Sequence, residues 1–372
     1  MPQSPFKICI IVGTRPEAIK LAPVIECFRS SSSFDTRVIL TGQHREMVDQ
    51  VMQLFHLSAD EDLAIMQPKQ TLTDITCRSL EGLASLFEKL QPHLAIVQGD
   101  TSTAFAATLA AFYQKIPVGH VEAGLRTDDL LNPYPEEANR RLISQLTQLH
   151  FAPTSLAVEN LQRSGVVGEI HQTGNTVIDA LLMMAQRQPA CDIPGLDWQK
   201  YRTILATVHR RENWGEPLKD IAIAFREILD KFADTALLLP LHRNPTVREP
   251  LQAILGNHPR VFLTEPLDYA ELVGAIARCY LLLTDSGGLQ EEAPSLGKPV
   301  LVLRETTERP EAIAAGTAKL VGTNTEQIVE TASRLLCDRD AYQAMANAIN
   351  PFGDGHAAER ILQIVENYCQ RE

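Results

Sequence analysis

Short apolar runs alternate with helix-like segments along the whole chain, and this alternation limits the fold more than any other feature of the sequence. The first run, residues 6–12, is apolar on both faces, as expected for a strand of a parallel sheet that is covered on both sides. A glycine or polar turn and a helix-like segment follow it, and the same order recurs in the second half from the run 203–208 onward. The sequence therefore predicts an α/β fold with two doubly wound, Rossmann-like domains facing each other across a cleft.

The length of the chain, 372 residues, suits two such domains better than one. Residues 187–200 contain two prolines and one glycine among residues of mixed polarity, a composition that is typical of a surface linker. We therefore place the domain boundary near residues 173–200.

Charge and hydropathy exclude several classes of partner. The formal net charge of −12 argues against a nucleic acid or an anionic membrane as the main partner. No apolar run reaches the roughly 18 residues of a membrane span, and the first residues lack the features of a signal peptide. The seven cysteines include no Cys-x-x-Cys pair, so we expect free thiols and a cytoplasmic location.

The stretch 279–294 carries the clearest ligand-binding pattern. An apolar run ends in Asp-Ser-Gly-Gly and passes directly into a helix-like segment. Gly287 and Gly288 let the backbone approach a ligand closely, and the free N–H groups of a helix start favour an anion such as a phosphate. Ser286 can cap that helix or donate to a phosphate oxygen. An ordinary strand-to-helix turn with a serine cap explains the stretch equally well when it is taken alone.

Acid/base candidates follow other predicted strands. Asp100 and Glu122 each come directly after an apolar run, at the sheet edge where open α/β folds bind ligands. Glu136 opens a helix, and His209 follows the first strand of the second half. A carboxylate at a strand end is often only a helix cap, and acidic residues are common in a first helical turn. Several carboxylates and a histidine nevertheless suit proton transfer on a sugar.

Basic residues at the same predicted edges suit a diphosphate. They are Arg15, Lys20, Arg210, Arg211 and Arg309. Lys20 taken alone is explained equally well as a solvated helix lysine.

Several familiar motifs are absent from the sequence. There is no Gly-x-Gly-x-x-Gly, no P-loop and no Gly-x-Ser-x-Gly, which argues against a nicotinamide or flavin dinucleotide and against a nucleophilic serine elbow. No His-Glu-x-x-His or Pro-Cys-x-x-Cys is present, so we expect no metal site and no cofactor.

Eight motifs in order resemble the non-hydrolysing UDP-N-acetylglucosamine (UDP-GlcNAc) 2-epimerases of bacteria, and the resemblance runs from about residue 7 to 369. The motifs span residues 13–23, 99–103, 120–126, 135–140, 173–179, 209–213, 285–292 and 306–311.

The resemblance implies a glycosyltransferase-B fold, with domains 1–172 plus 354–372 and 173–353. The last helix would return to the N-terminal domain. It also implies a homodimer that interconverts UDP-GlcNAc and UDP-N-acetylmannosamine (UDP-ManNAc) without NAD or metal. UDP would be eliminated to give 2-acetamidoglucal and then re-added, and the product would supply cell-surface polysaccharide synthesis.

The resemblance also assigns site residues. Asp100, Glu122, Glu136 and His209 would be the catalytic set. The substrate-binding residues would be Arg15, Lys20, Leu267, Leu272, Ser286, Gly287, Gly288, Glu292 and Arg309, of which Leu272 stands where the family often has phenylalanine beside the uracil. A second, activating UDP-GlcNAc would contact Gln43, His44, Arg210 and His242.

Four alternatives remain at this stage. A hydrolysing relative would release free ManNAc, and another relative would act on a modified UDP-GlcNAc. A glycosyltransferase of the same fold would need an acceptor groove, for which the sequence shows no aromatic-rich segment. A non-catalytic UDP-sugar sensor would have no need of the four acid/base residues.

Overall fold

The structure is a computed structural model that describes residues 5–42, 45–67, 69–127 and 129–371. The strands are β1 (Phe6–Val12), β2 (Phe34–Leu40), β3 (Glu61–Asp62), β4 (Leu94–Gln98), β5 (Val118–Val121), β6 (Leu149–Ala152), β7 (Glu169–Gln172), β8 (Arg202–Thr207), β9 (Thr235–Pro240), β10 (Val261–Thr264), β11 (Leu281–Thr284), β12 (Val300–Val302) and β13 (Ala318–Leu320). The α-helices are α1 (Arg15–Ser30), α2 (Arg45–Leu54), α3 (Leu72–Leu90), α4 (Ser102–Tyr113), α5 (Glu136–Leu146), α6 (Ser155–Arg163), α7 (Thr176–Gln186), α8 (Glu216–Lys231), α9 (Pro245–Leu255), α10 (Tyr269–Arg278), α11 (Gly287–Glu292), α12 (Pro310–Ala314), α13 (Thr325–Cys337), α14 (Arg339–Ala346) and α15 (Ala357–Cys369).

The chain divides into two compact units, Met1–Ala180 with Phe352–Glu372, and Leu181–Pro351. The first unit holds a seven-stranded sheet in the order β3-β2-β1-β4-β5-β6-β7, and the second holds a six-stranded sheet in the order β10-β9-β8-β11-β12-β13. Every strand pair in both sheets is parallel. The predicted α/β class with two doubly wound sheets is confirmed, while the division at 172/173 and 353/354 stays a prediction.

Apolar residues on both faces of the strands explain the parallel arrangement. In the first unit, Ile11 and Val97 belong to a core that also contains Leu83 and Phe87 of α3 and Ala107 of α4. The helices thus cover a sheet face that would otherwise meet water, and each large side chain buried there contributes about 1.5–3 kcal/mol.

The core of the second unit is built in the same way. Ala206 and Leu239 of its sheet pack with Phe225 of α8, Leu251 of α9 and Leu335 of α13.

Each sheet has one point at which the strand order reverses. In the first unit this switch point lies between β1 and β4, and in the second it lies between β8 and β11. The turns that follow these four strands, residues 13–14, 99–101, 208–210 and 285–286, are where doubly wound sheets bind ligands.

The helix α9 is an element that the sequence patterns did not predict. Asn244 caps it by accepting a hydrogen bond from the N–H of Thr246 at 3.0 Å, and Pro245 occupies the first turn, where proline is tolerated. Pro250 inside the segment obscures the helical pattern of its buried residues, Val247 and Leu251 among them.

The last helix, α15, belongs to the first unit. The N–H of Ala358 donates to Asp179 Oδ1 at 2.8 Å, and the Ser31 hydroxyl at the end of α1 donates to Glu366 at 3.3 Å. Within the described ranges, none of the helices is long and apolar enough to cross a membrane.

Candidate active site

A buried glutamate ties together the two turns at the first switch point. Glu17 Oε2 accepts hydrogen bonds from the N–H groups of Gly13 at 2.8 Å and Thr14 at 2.6 Å, as the Thr-x-x-Glu spacing predicts. Its Oε1 accepts from the hydroxyl of Thr101, in the turn after β4, at 2.5 Å. Burial raises the pKa of the Glu17 carboxyl, and these hydrogen bonds only partly offset that effect. The carboxylate fixes the backbone on which the neighbouring polar residues stand.

Arg15 is the first residue of α1 and directly follows the first of these turns. Its side chain is half-buried and makes no hydrogen bond or ion pair with another residue in the parts of the chain that the structure describes. A cation in this position can bind a ligand without first breaking an internal contact.

Asp100 lies in the turn after β4 and is held at two points. Arg140 Nε donates to its Oδ2 at 2.8 Å, and the side chain of Asn139 donates to its backbone oxygen at 2.9 Å. Arg140 also donates to Glu137 at 3.0 Å. Helix α5, which carries Asn139 and Arg140 as well as Glu137, therefore positions this carboxylate.

Glu122 follows β5, the strand next to β4, and its carboxylate is buried. Lys20 Nζ lies 2.7 Å from its Oε1 and 2.6 Å from its Oε2. The side-chain amides of Gln98 and Asn175 also donate to it, the latter at 3.3 Å. Four contacts from three nitrogen donors favour the ionised carboxylate.

The backbone at Glu122 has a φ of 65°, in the left-handed region that a residue with a long side chain rarely adopts. Such strain persists where the surroundings hold a residue firmly and is concentrated at functional sites.

Glu136 is the first residue of α5 and is half-buried. Among the residues that the structure describes, none forms a hydrogen bond or ion pair with its side chain. It differs in this respect from Asp100 and Glu122.

A buried aspartate organises the second switch point. Asp285 Oδ2 accepts from the N–H groups of His209 and Arg210, both at 2.8 Å, and from the side chain of Asn213 at 3.0 Å. Its Oδ1 lies 2.9 Å from Nδ1 of the His209 ring. The turn after β11 is therefore joined to the turn after β8 through one carboxylate.

A cavity of about 290 Å³ opens beside this aspartate, entirely within the second unit. Among its lining residues are the following predicted site residues: His209, His242, Leu267, Leu272, Ser286 and Glu292. One part of the wall is apolar and another carries an imidazole, a hydroxyl and a carboxylate.

The first turn of α11 lies beside two guanidinium groups. A Cβ on Gly287 would lie 3.8 Å from the guanidinium of Arg210 and 3.9 Å from that of Arg309. Arg309 is also paired with Glu291, and Ser286 stands at the N-cap without a capping hydrogen bond from its side chain. Two arginines thus lie over a short helix start, next to a serine hydroxyl.

The structure groups the predicted site residues within each unit. In the first unit Lys20 pairs with Glu122, and Asp100 follows the neighbouring strand. In the second, Arg210 and His242, predicted for an activating ligand, lie close to Gly287 and His209. Gln43 and His44 lie outside the described residues.

Sequence reasoning missed the residues that hold the candidate groups. Gln98 and Asn175 hold Glu122, Arg140 holds Asp100, and Asp285 holds His209. The sequence did mark these positions, because each lies at or beside a strand end or in one of the eight family motifs. Their partners could not be inferred, because they are distant in sequence. In the described parts of the chain, no group of three His, Cys, Asp or Glu side chains is arranged to hold a metal ion.

Comparison with known proteins places this geometry in a family. The family model "UDP-N-acetylglucosamine 2-epimerase" matches residues 26–366. The chain belongs to that family. The predicted family and the predicted enzyme class, an isomerase, are confirmed.

The relatives match along the full length of the chain. The Escherichia coli K12 UDP-N-acetylglucosamine 2-epimerase is 50% identical over 372 residues, covering 97% of this chain and 99% of the relative. A crystal structure of the Neisseria meningitidis enzyme bound to UDP-GlcNAc has a TM-score of 0.86 at 47% identity and covers 97% of this chain and 100% of that one. The Methanocaldococcus jannaschii enzyme in complex with UDP-GlcNAc and UDP has a TM-score of 0.76 at 33% identity, with 97% and 100% coverage.

Proposed function

We propose that this protein reversibly inverts C2 of UDP-GlcNAc to form UDP-ManNAc. The observation that carries the proposal is the pair of carboxylates on adjacent strand ends, Asp100 held by Arg140 and Glu122 held by Lys20. Inverting a carbon centre requires a group that removes the proton and a group that returns it to the opposite face. A protein that only bound the sugar nucleotide would have no use for two such carboxylates.

The reaction proceeds by elimination and re-addition. A carboxylate removes the proton from C2, the C1–O bond to the diphosphate breaks, and a C1=C2 double bond forms to give 2-acetamidoglucal and UDP. UDP then adds back to C1 while an acid returns a proton to the other face of C2. No oxidant or external acceptor is needed, because electrons and protons balance within the cycle.

The acid/base groups of this cycle are drawn from Asp100, Glu122 and Glu136. Lys20 favours the ionised form of Glu122, which suits it to accept a proton. Glu136, with no partner among the described residues, can exchange a proton with a ligand without breaking an internal bond. Each group must lie within hydrogen-bond reach of C2 or of a bridging water in the substrate complex.

The second unit supplies the binding site for UDP. We assign the phosphates to Ser286, Gly287 and Gly288 with Arg309, since helix N–H groups and guanidinium groups stabilise the charge that develops on the departing diphosphate. Arg15 and Lys20 are the substrate-binding cations proposed for the first unit.

The nucleoside occupies the cavity of the second unit. Leu267 and Leu272 provide the apolar wall for the uracil, and Glu292 accepts hydrogen bonds from the ribose hydroxyls. His209, in the same wall, serves the leaving phosphate.

A second UDP-GlcNAc would act as an activator through Gln43, His44, Arg210 and His242. Arg210 and His242 lie beside the proposed phosphate and nucleoside sites, so that an activator touching them would act on residues next to the substrate. Sigmoidal dependence of the rate on UDP-GlcNAc, abolished by H242A, supports this role; a hyperbolic curve contradicts it.

The biological setting of the proposal follows from the family. We propose a cytoplasmic homodimer that supplies ManNAc units for cell-surface polysaccharides and needs no cofactor. Light scattering during size-exclusion chromatography is expected to give twice the chain mass of 41.2 kDa. A single-chain mass would contradict the dimer.

Product analysis by proton and phosphorus NMR tests the activity. Pure protein with UDP-GlcNAc is expected to give UDP-ManNAc at equilibrium, with little free UDP. Free UDP together with ManNAc would instead show a hydrolase. No conversion would contradict the proposal and direct attention to a modified UDP-GlcNAc or to a transferase.

A matched variant assigns the activity to the site. E122Q removes the ionised carboxylate, and we expect kcat to fall by at least about 100-fold, the usual range for loss of an acid/base group. UDP affinity, measured by calorimetry, is expected to change much less than kcat because most of the residues assigned to UDP lie in the second unit. Full activity of E122Q would remove Glu122 from the mechanism.

A further inference from the structure

The carboxylate of Asp285, at the second switch point, makes more contacts than are needed to hold the turn after β8. Asp285 is completely buried, and its Oδ2 alone accepts the three donors that fix the turn after β8. Its Oδ1 is directed at a different partner, the His209 ring, with 2.9 Å between Oδ1 and Nδ1. One oxygen therefore accepts from the donors that fix the turn, and the other faces an imidazole ring.

We infer that Asp285 is a positioning residue that holds His209 with its proton on Nδ1, so that Nε2 is the nitrogen that exchanges a proton with the bound substrate. This inference rests on the proposed function, in which His209 serves the leaving phosphate. An ionised carboxylate can only accept a hydrogen bond, so the ring nitrogen facing it must be the donor. The position of Asp285 Oδ1 next to Nδ1 thus selects one of the two neutral tautomers of the His209 ring.

The charge state of Asp285 agrees with this arrangement. Burial raises the pKa of its carboxyl, but the adjacent His209 ring and the backbone N–H groups of His209 and Arg210 outweigh burial and leave the pKa below its ordinary value. The carboxylate is therefore ionised across the range in which a histidine titrates.

The His209 ring is constrained on a second side. It stacks on the ring of His242 with centroids 6.1 Å apart and an interplanar angle of 24°. Nδ1 of His242 in turn accepts from the N–H of Asn244 at 3.2 Å. With about 40% of its side chain exposed, His209 borders the nucleotide cavity, so the ring is held in place but remains accessible.

This tautomer determines how His209 acts on the diphosphate during the proposed reaction. As the C1–O bond breaks, the Nε2–H of an imidazolium donates to the diphosphate oxygen that leaves C1, and Asp285 stabilises the positive ring. When UDP adds back, the same proton returns to Nε2. The histidine ends the cycle unchanged.

The substitution D285N separates the two roles of the carboxylate. Asparagine keeps one oxygen for the turn donors, and its NH2 group then faces Nδ1, which must become the acceptor. The ring is driven to the Nε2–H tautomer and loses the carboxylate that stabilises its charged form. We expect kcat to fall by at least about 100-fold while UDP affinity changes less than about twofold.

E17Q is the matched control in the other unit. It is the same carboxylate-to-amide change at a buried switch-point residue, but the partner of the altered atom is the Thr101 hydroxyl, which can accept as well as donate. We expect kcat of E17Q to remain within about threefold of the wild type. A similar loss in both variants would mean that D285N acts through general disorder of the turn and would overturn the inference.

The tautomer itself can be measured without substrate. Long-range proton–nitrogen NMR of the ¹⁵N-histidine-labelled protein, with the His209 signal assigned by its loss in H209Q, is expected to show Nδ1–H in the wild type and Nε2–H in D285N. The Nε2–H form in the wild type would overturn the inference even if the protein were an active epimerase.

A double-mutant cycle completes the test. If Asp285 acts through the ring, D285N is expected to cause no further loss of kcat in the H209Q background; independent, multiplying losses would contradict it. A wild type that forms no UDP-ManNAc defeats the proposed function alone, since the tautomer measurement still decides the inference. Full activity of D285N in an active wild type defeats the inference alone.

Discussion

The two switch points use a buried carboxylate in different ways. In the first unit, Glu17 stands on the helix after β1 and binds its own turn and the hydroxyl of Thr101. In the second, Asp285 stands in the turn after β11 and reaches back to the turn after β8 and to the ring of His209. The two sheets have the same topology. The carboxylate follows the first strand of the switch point in one unit (β1) and the second strand in the other (β11).

The two carboxylates therefore hold different kinds of partner. The partners of Glu17 are backbone N–H groups and a hydroxyl, none of which titrates near neutral pH. Asp285 contacts an imidazole, whose ordinary pKa lies near neutrality. In the first unit two of the proposed acid/base groups, Asp100 and Glu122, are instead carboxylates held by the cations Arg140 and Lys20.

Removing the Lys20 cation beside Glu122 is expected to have the largest effect on stability. K20M leaves the buried carboxylate of Glu122 without its ion-pair partner, and we expect the free energy of unfolding to fall by about 3 kcal/mol. Urea unfolding measures it. The control is K219M, which breaks an exposed pair with Glu216 and is expected to cost less than about 0.5 kcal/mol. Equal losses in the two variants would contradict the account.

Removing the Glu17 carboxylate at the first switch point is expected to lower the free energy of unfolding somewhat less. E17A leaves the N–H groups of Gly13 and Thr14 and the hydroxyl of Thr101 without their acceptor, which we expect to cost about 2–3 kcal/mol. E17Q keeps an oxygen for the two N–H groups and is expected to cost about 1 kcal/mol or less. Thermal or urea unfolding distinguishes the two variants, and equal losses would show that the hydrogen bonds contribute little.

Most of the fold was predictable because its signals are local. The strand ends that precede Asp100 and Glu122 follow directly from apolar runs, and the structure has β4 and β5 there. Helix α9 was missed because Pro250 interrupts its pattern. Strand ends and turns indicated the acid/base candidates, most of the basic residues and the Ser-Gly-Gly turn. The family resemblance supplied the remaining site residues and the individual roles.

The interactions that hold the site were not predictable from local signals. Asp285 lies 76 residues from His209, and Asn175 lies 53 residues from Glu122. Such pairs depend on which strands become neighbours, and that is decided by the whole sheet. The tertiary structure was therefore needed to show which groups position the candidate catalytic residues.

A smaller effect is expected from two buried histidines on neighbouring strands of the first sheet. Burial lowers the pKa of His120 to about 4 and that of His150 to about 3, so both are neutral in the folded protein. Both take up a proton on unfolding below their ordinary pKa near 6.5. Their contribution to stability is therefore complete above that pH and is lost as the pH falls toward 4 and 3.

The variant H150F tests this linkage. Neither ring nitrogen of His150 has a hydrogen-bond partner among the described residues, so phenylalanine removes a titrating group without breaking a bond. We expect the slope of the unfolding free energy between pH 6 and 4 to decrease by up to about 1.4 kcal/mol per pH unit. Urea titrations at several pH values measure the slope, and an unchanged slope would contradict the linkage.

Following the C2 proton in D₂O tests most simply whether this protein inverts C2 by removing and returning that proton. Proton NMR of the wild-type protein with UDP-GlcNAc is expected to show deuterium at C2 of UDP-GlcNAc and UDP-ManNAc, since the groups that remove and return the proton exchange with solvent. E122Q is expected to slow this exchange together with conversion. Formation of UDP-ManNAc that retains the original hydrogen at C2 would contradict the account, because inversion would then not pass through loss of that proton to an acid/base group.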